Sequence, residues 1–291
     1  MIFHKWKLLA AFSISTLALV VTTAVFAAAT VDVKFASHIE ANLPEQDVFV
    51  ESKDNPIQVV RVEGDLAKDA KVLSQKAFAA SKAIPHDPFK LGENPLGPYP
   101  KGKALGFTLE QWLMAKGTGT YVVNGDTATL DLIFEGLVEN GVYTVWCSRL
   151  TFPPNPKVVD KPCGAADGSQ NSFTAFRNGA GEFKLTMNPL EESTKETASV
   201  IALAYHSDGK TYGANPGDFG LNSHVQIFFL IPEAKAAESP APSATPAPTT
   251  GGGLSTQTWI LIIGGVIIII GGWWWFSKRS TNSSGPTTPG V

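Results

Sequence analysis

Two uninterrupted apolar segments, one near each end of the chain, dominate the hydrophobic pattern. The first runs from Leu8 to Phe26 after the basic residues Lys5 and Lys7, and small residues follow it. This order is typical of a secretory signal peptide and predicts export with cleavage at the end of residues 1–29. An uncleaved membrane anchor is the alternative, because the apolar run is long for a signal peptide. Whether it is a cleaved signal or an uncleaved anchor, this segment would direct the following chain out of the cytoplasm.

The second apolar segment, residues 258–276, contains no charged residue. As a helix it would be about 28 Å long, which matches a hydrocarbon core of roughly 30 Å. Four aromatic residues at its end suit the lipid–water interface, and Lys278 and Arg279 follow on the cytoplasmic side by the positive-inside rule. The sequence therefore predicts one transmembrane helix in the lipid bilayer of the cell membrane and a short cytoplasmic tail over residues 277–291.

The chain between these segments divides by composition. Residues 234–257 are rich in Pro, Ala, Ser, Thr and Gly and have few large apolar side chains. Such a segment buries too little surface to offset its ordering entropy, which predicts an extended stalk. Before it, we expect an extracytoplasmic β domain over residues 88–233 and an N-terminal strand–helix extension over residues 30–87.

Short apolar segments separated by turn residues characterise the predicted β domain. Asn124-Gly125 lies between two of them and predicts a tight hairpin turn. About seven such segments predict an antiparallel β-sandwich with an immunoglobulin-like or cupredoxin-like layout. One short helix interrupts the strands, because Thr108 and Gln111 stand at the two positions of a capping box.

The N-terminal extension has a different pattern. A strand-like segment from Pro56 to Gly64 precedes small and apolar residues that recur on one helical face from Leu66 to Ile84, and Pro85 follows them. This periodicity predicts an amphipathic helix that ends before the proline. The helix is expected to pack against a sheet, and a separate interaction module is the alternative.

Composition excludes some functions. The 23 basic and 26 acidic side chains give a formal net charge of −3, which provides no broad attraction for phosphate backbones and argues against nucleic-acid binding. The chain contains no nucleophile-elbow, Walker or dinucleotide-binding motif. Enzyme activity is therefore not the preferred interpretation.

Cys147 and Cys163 are the only cysteines, and both belong to the exported part of the chain. In an oxidising compartment this pair is expected to form a disulfide. Closing a loop of roughly 16 residues would stabilise the fold by about 3 kcal/mol in the chain-entropy model. A redox pair is the alternative, but the spacing of a Cys-x-x-Cys motif is absent.

Two histidines flank a loop rich in Gly, Asp and Asn. If the segments ending at His206 and beginning near His224 pair as neighbouring strands, the two imidazoles can become cross-strand neighbours. Together with Asp208 or Asp218 they could bind Zn or Cu. The preferred interpretation is simpler: the loop connects two core strands, and its residues are those that turns require.

These patterns predict a single-pass membrane-anchored surface protein that displays a disulfide-linked β-sandwich as a binding or structural module, with no cofactor. Its partner would be an extracellular protein or a glycan. Tyr99, Trp112 and Tyr212 are candidate ligand contacts, although core packing is the preferred interpretation for each ring. The alternative function is an extracytoplasmic zinc- or copper-binding protein, or a metalloenzyme, that uses His206 and His224.

Overall fold

The computed structural model describes residues 28–41, 43, 47–62, 66–86 and 96–233. The predicted stalk, transmembrane helix and cytoplasmic tail lie outside the described residues, as does the predicted signal segment except for its last two residues. Within the described part of the chain, no helix is long and apolar enough to cross a membrane.

Antiparallel strands are the main regular structure of the described residues, and helices are few and short. The strands are β1 (Ala29–Lys34), β2 (Ala36–Ser37), β3 (Val50–Glu51), β4 (Gln58–Val60), β5 (Lys76–Ala80), β6 (Tyr99–Thr108), β7 (Lys116–Asn124), β8 (Thr127–Glu135), β9 (Val142–Thr151), β10 (Lys157–Val159), β11 (Ser172–Thr174), β12 (Gly181–Met187), β13 (Thr197–His206) and β14 (Ser223–Leu230). The helices are a 3₁₀ turn (Leu66–Lys68), α1 (Ala70–Leu73) and α2 (Leu109–Leu113).

Two antiparallel sheets pack on one shared core, which is consistent with a β-sandwich. The first sheet has the order β1-β7-β8-β12, and the second has the order β10-β9-β13-β14-β2 with β11 also paired to β9. Side chains of β8 alternate between buried and outward positions, as expected for a strand with one face on the core. Leu132 and Phe134 of the first sheet join Ile201 and Leu203 of the second in the same apolar cluster.

A smaller sheet has the order β3-β4-β6-β5. The N–H groups of Ala80 and Ile84 donate to the carbonyls of Gly220 and Phe219, which precede β14 in the chain. The small sheet has its own apolar cluster around Phe49. It is therefore attached to the sandwich through the connection between β13 and β14.

The first described residues of the chain contribute strands to both large sheets. β1 pairs with β7 over six residues, and β2 pairs with β14, so this segment contributes a strand to each large sheet. The helix predicted between Leu66 and Ile84 is wrong, because only α1 and a 3₁₀ turn form before β5 begins. Phe78 pairs with Phe49 of the small sheet, and this tertiary pairing outweighs the helical preference of an alanine-rich segment.

Several local predictions are confirmed. β7 and β8 form the expected hairpin, and Gly125 has the positive φ of 58° that its tight turn requires. Thr108 and Gln111 form the reciprocal capping box at the start of α2. Cys147 and Cys163 are joined by a disulfide, with their Cα atoms 4.9 Å apart.

The connections divide the sandwich into two ends. We call one the loop end: it carries α2 and the connections over residues 136–141, 175–180 and 207–222. We call the other the terminal end: β1 begins there opposite Val123, and β14 finishes there opposite Val200. The two termini of the described sandwich therefore lie at the same end.

Candidate functional site

A β-bulge interrupts the pairing of β13 with β14, the strands that carry His206 and His224. Leu203 lies opposite Ile227, but the next residue, Ala204, lies opposite Val225. One extra residue in β14 therefore moves Val225 to the outer face of the second sheet, where it packs with Ala204 and Trp146. Without the bulge, strand alternation would place Val225 on the same face as Ile227.

The same bulge decides how the two histidines are placed. Beyond it, His224 lies opposite Tyr205, and His206 lies opposite Ser223. Because side chains alternate along a strand, the register directs His206 and His224 to opposite faces of the sheet. The structure does not form the shared imidazole pair on which the zinc or copper hypothesis depends.

His206 is buried and neutral at ordinary pH. Burial lowers its pKa to about 4, although Asp208 acts in the opposite direction. Its Nε2 lies 2.8 Å from the hydroxyl of Thr144, which accepts a hydrogen bond of 2.7 Å from Trp146 Nε1. His206 Nδ1 has no hydrogen-bond partner among the described residues.

His224 is also buried, and both of its ring nitrogens are occupied. Nδ1 donates to the carbonyl of Asp47 over 2.6 Å, since a carbonyl oxygen can only accept. Nε2 therefore acts as the acceptor from the Ser207 hydroxyl over 2.9 Å. Burial lowers the pKa of His224, which agrees with this neutral tautomer.

The connection from β13 to β14 is closed by its own side chains. The Tyr212 hydroxyl donates to Asp208 and accepts a 2.8 Å hydrogen bond from the Asn222 amide. The bond to Asp208 raises the pKa of Tyr212 to about 12. Asp218 is exposed, and its carbonyl caps the turn before Ser223. No three His, Cys, Asp or Glu side chains in the described ranges are grouped so that they could hold a metal ion.

The three candidate aromatic contacts have different positions. Tyr99 packs in the core of the small sheet, and Trp112 packs in the main core. Neither ring is presented to solvent in this structure, which gives both residues a packing role. Tyr212 is half-buried at the loop end.

A buried charge cluster, which the sequence did not reveal, lies between the small sheet and the sandwich. Asp47 is fully buried, and its Oδ1 lies 2.9 Å from His86 Nδ1 and 3.8 Å from an Arg61 guanidinium nitrogen. The other carboxylate oxygen accepts the backbone N–H of Val225 over 3.0 Å. Asp47 thus binds residues of three separate chain segments through one side chain.

Arg61 is held in this cluster from several directions. It donates to the Tyr99 hydroxyl over 3.2 Å and to the carbonyl of Pro85 over 2.8 Å. Its guanidinium carbon also lies 5.8 Å and 5.4 Å from the ring centres of Phe49 and Tyr99, a cation–π geometry. These contacts hold a buried cation beside the carboxylate.

The electrostatics of the cluster favour an ionised Asp47. Burial by itself raises the pKa of this carboxyl. The charge and hydrogen bond of His86 and the charge of Arg61 lower the pKa by more than burial raises it, so the net pKa lies below the usual value. His38, whose ring is 6.0 Å from that of His86, is held neutral because burial lowers its pKa to about 3. The chemistry of the cluster is therefore that of a buried ion pair joining two parts of the fold.

Little in the sequence indicates this buried charge cluster. Asp47 and Arg61 each stand beside apolar strand residues, and His86 follows a proline. A single arginine within the apolar segment Val59–Val62 was the one available signal, because an unpaired charge is rarely buried.

Two large apolar side chains are exposed at the loop end. Met114 follows α2 and is 58% exposed, and Phe176 lies in the connection before β12 and is 55% exposed. Both flank residues 136–141: Gly136 lies against the carbonyl of Met114, and the Asn140 N–H donates to the carbonyl of Phe176. This end of the sandwich therefore offers apolar contacts next to a polar loop.

Comparisons with protein-family models, with curated proteins and with solved structures found no match to this chain.

Proposed function

We propose that the protein is a single-pass membrane-anchored surface protein whose β-sandwich acts as a binding or structural module outside the cell membrane. The export signal and the C-terminal apolar segment of the sequence support the tether. The disulfide between Cys147 and Cys163 supports an oxidising compartment. An immunoglobulin-like or cupredoxin-like layout is part of the proposal, supported by two antiparallel sheets on one core.

One observation carries this proposal. The chain enters β1 and leaves β14 at the terminal end, whereas α2 and the connections over residues 136–141, 175–180 and 207–222 lie at the loop end. A stalk that follows residue 233 would hold the terminal end toward the bilayer. The loop end would then face away from the membrane, where a partner can reach it.

Binding is favoured over catalysis by the state of the polar groups. Asp47 and Arg61 are buried and bonded to neighbours, and both nitrogens of His224 are occupied. Exposed Met114 and Phe176 suit contact with an extracellular protein or with the apolar face of a glycan.

The test uses cells that display the full chain, probed with arrays of extracellular proteins and glycans. We expect Phe176→Asp to reduce binding of any captured partner at least tenfold, because a charge would replace one of the two exposed apolar side chains at the loop end. Ile57→Asp is the matched control, since Ile57 is 72% exposed but lies in the turn before β4, away from the loop end. Equal loss in both variants, or turnover of a small substrate without stable binding, would contradict the proposal.

A further inference from the structure

β12 is an open edge of the first sheet. All seven of its residues pair in regular register with β8. Within the described residues, its backbone makes no hydrogen bond to any element other than β8. The edge strands of the second sheet are shorter, with three residues in β10 and two in β2. An edge of this length is a surface on which another strand can pair.

The charges along β12 are complementary to those of a second β12 in reverse. Glu182 and Lys184 both point outward from the sheet and are exposed, and Phe183 between them points into the core. In an antiparallel pair centred on Phe183, each Glu182 lies opposite the Lys184 of the other copy. Opposite charges in such cross-strand pairs are stabilising.

Other registers are disfavoured by the same residues. A shift of two residues in either direction places Glu182 opposite Glu182, or Lys184 opposite Lys184, of the second copy. A shift of one residue would turn the buried face of one strand toward solvent. β1 has a similar acid–base pattern around Val33, but the chain leaves that edge after Lys34, so only three residues could pair.

We propose that β12 pairs antiparallel with β12 of a second copy of this chain, with Phe183 at the two-fold axis. Lys184 already contacts Asp131 of β8 at the surface. Both groups are exposed, so sharing this lysine with Glu182 of the second copy has a small energetic cost. The two first sheets would join into one continuous sheet of eight strands, twice the four of one copy.

The direction of the strands determines how the two copies face each other. In an antiparallel pair, the terminal end of one sandwich lies beside the loop end of the other. Two stalks would then leave the pair in opposite directions, which suits molecules anchored in two facing membranes. This last step rests on the proposed membrane tether, whereas the pairing of β12 does not.

Lipid vesicles carrying the purified full chain test both steps. We expect vesicles with the wild-type protein to cluster, as followed by light scattering. Glu182→Lys alone and Lys184→Glu alone place like charges in both cross-strand pairs, and each should weaken self-association by about tenfold or more. Vesicles bearing Glu182→Lys should nevertheless cluster with vesicles bearing Lys184→Glu, because opposite charges then meet across the pair. The double exchange Glu182→Lys/Lys184→Glu should cluster with itself.

The control and a second measurement separate the possible failures. Glu135→Lys makes the same change in net charge at the exposed end of β8, away from the edge, and should leave clustering unchanged. Sedimentation of the same variants in detergent measures pairing without a membrane. Wild-type self-association that ignores the charges of Glu182 and Lys184 would overturn the pairing. Charge-dependent association in detergent without vesicle clustering would overturn the facing-membrane arrangement. A chain that does not float with vesicles would overturn the tether alone.

Discussion

Replacing Asp47 with asparagine tests whether the buried charge cluster holds the small sheet on the sandwich. Asparagine keeps the size of the side chain, and its amide oxygen can still accept the N–H of Val225. The negative charge is lost, however, and with it the carboxylate that lies 3.8 Å from the buried guanidinium of Arg61.

The magnitude follows from burial. The side chains of Asp47 and Arg61 are 0% and 1% exposed, so solvent cannot replace the lost partner. Breaking one side of such a buried pair costs about 3–5 kcal/mol. The bonds of Arg61 to Tyr99 and Pro85 remain, so we expect Asp47→Asn to lower the free energy of unfolding by about 3 kcal/mol.

Pulse proteolysis of the full chain across a urea series would measure this change as a shift of the unfolding midpoint. Asp131→Asn is the matched control, because it removes an exposed carboxylate that pairs with Lys184 and should cost less than about 1 kcal/mol. If Asp47→Asn destabilises no more than Asp131→Asn, then the cluster does not hold a buried ionised carboxylate.

Three further outcomes are expected. Cys147→Ser/Cys163→Ser should lower the free energy of unfolding by about 3 kcal/mol, measured in urea beside the oxidised wild type, and an unchanged midpoint would refute the stabilising role of this bond. The free energy of unfolding should fall as pH drops below about 6.5, the pKa of an unfolded histidine. Burial lowers the folded pKa of His38 to about 3 and that of His206 to about 4, so the unfolded chain takes up protons before the folded chain does. The contribution of His206 is on the order of 3 kcal/mol; His206→Gln should therefore flatten the pH dependence of the midpoint between pH 6.5 and 4, and an unaltered slope would argue against its buried neutral state. Calorimetric titration with Zn or Cu should give no stoichiometric binding, because the bulge separates His206 from His224; binding that His206→Ala/His224→Ala abolishes would revive the metal hypothesis.

The elements that local chemistry determines could be predicted from the sequence. The hairpin needs only Asn124-Gly125 between two apolar segments, and the start of α2 needs only Thr108 and Gln111. The disulfide was expected from two cysteines in a chain predicted to be exported. Each of these depends on neighbouring residues or on a simple count.

The remaining features depend on contacts between distant segments. The bulge opposite Leu203 and Ala204 changes the face of a strand by one extra residue, and no turn residue marks it in the sequence. The helix predicted from Leu66 fails because Phe78 finds a strand partner in Phe49. The charge cluster joins residues that are as far apart in the chain as Asp47 and Val225.

Labelling of introduced cysteines in intact cells tests the central claim most directly. Arg177→Cys places a thiol on the exposed connection at the loop end, and Ser284→Cys places one in the predicted cytoplasmic tail. A membrane-impermeant maleimide should label the cysteine at position 177 in intact cells and the one at position 284 only after the membrane is permeabilised. Labelling at position 284 in intact cells, or protection at position 177 until permeabilisation, would contradict a tethered β-sandwich whose loop end faces outward.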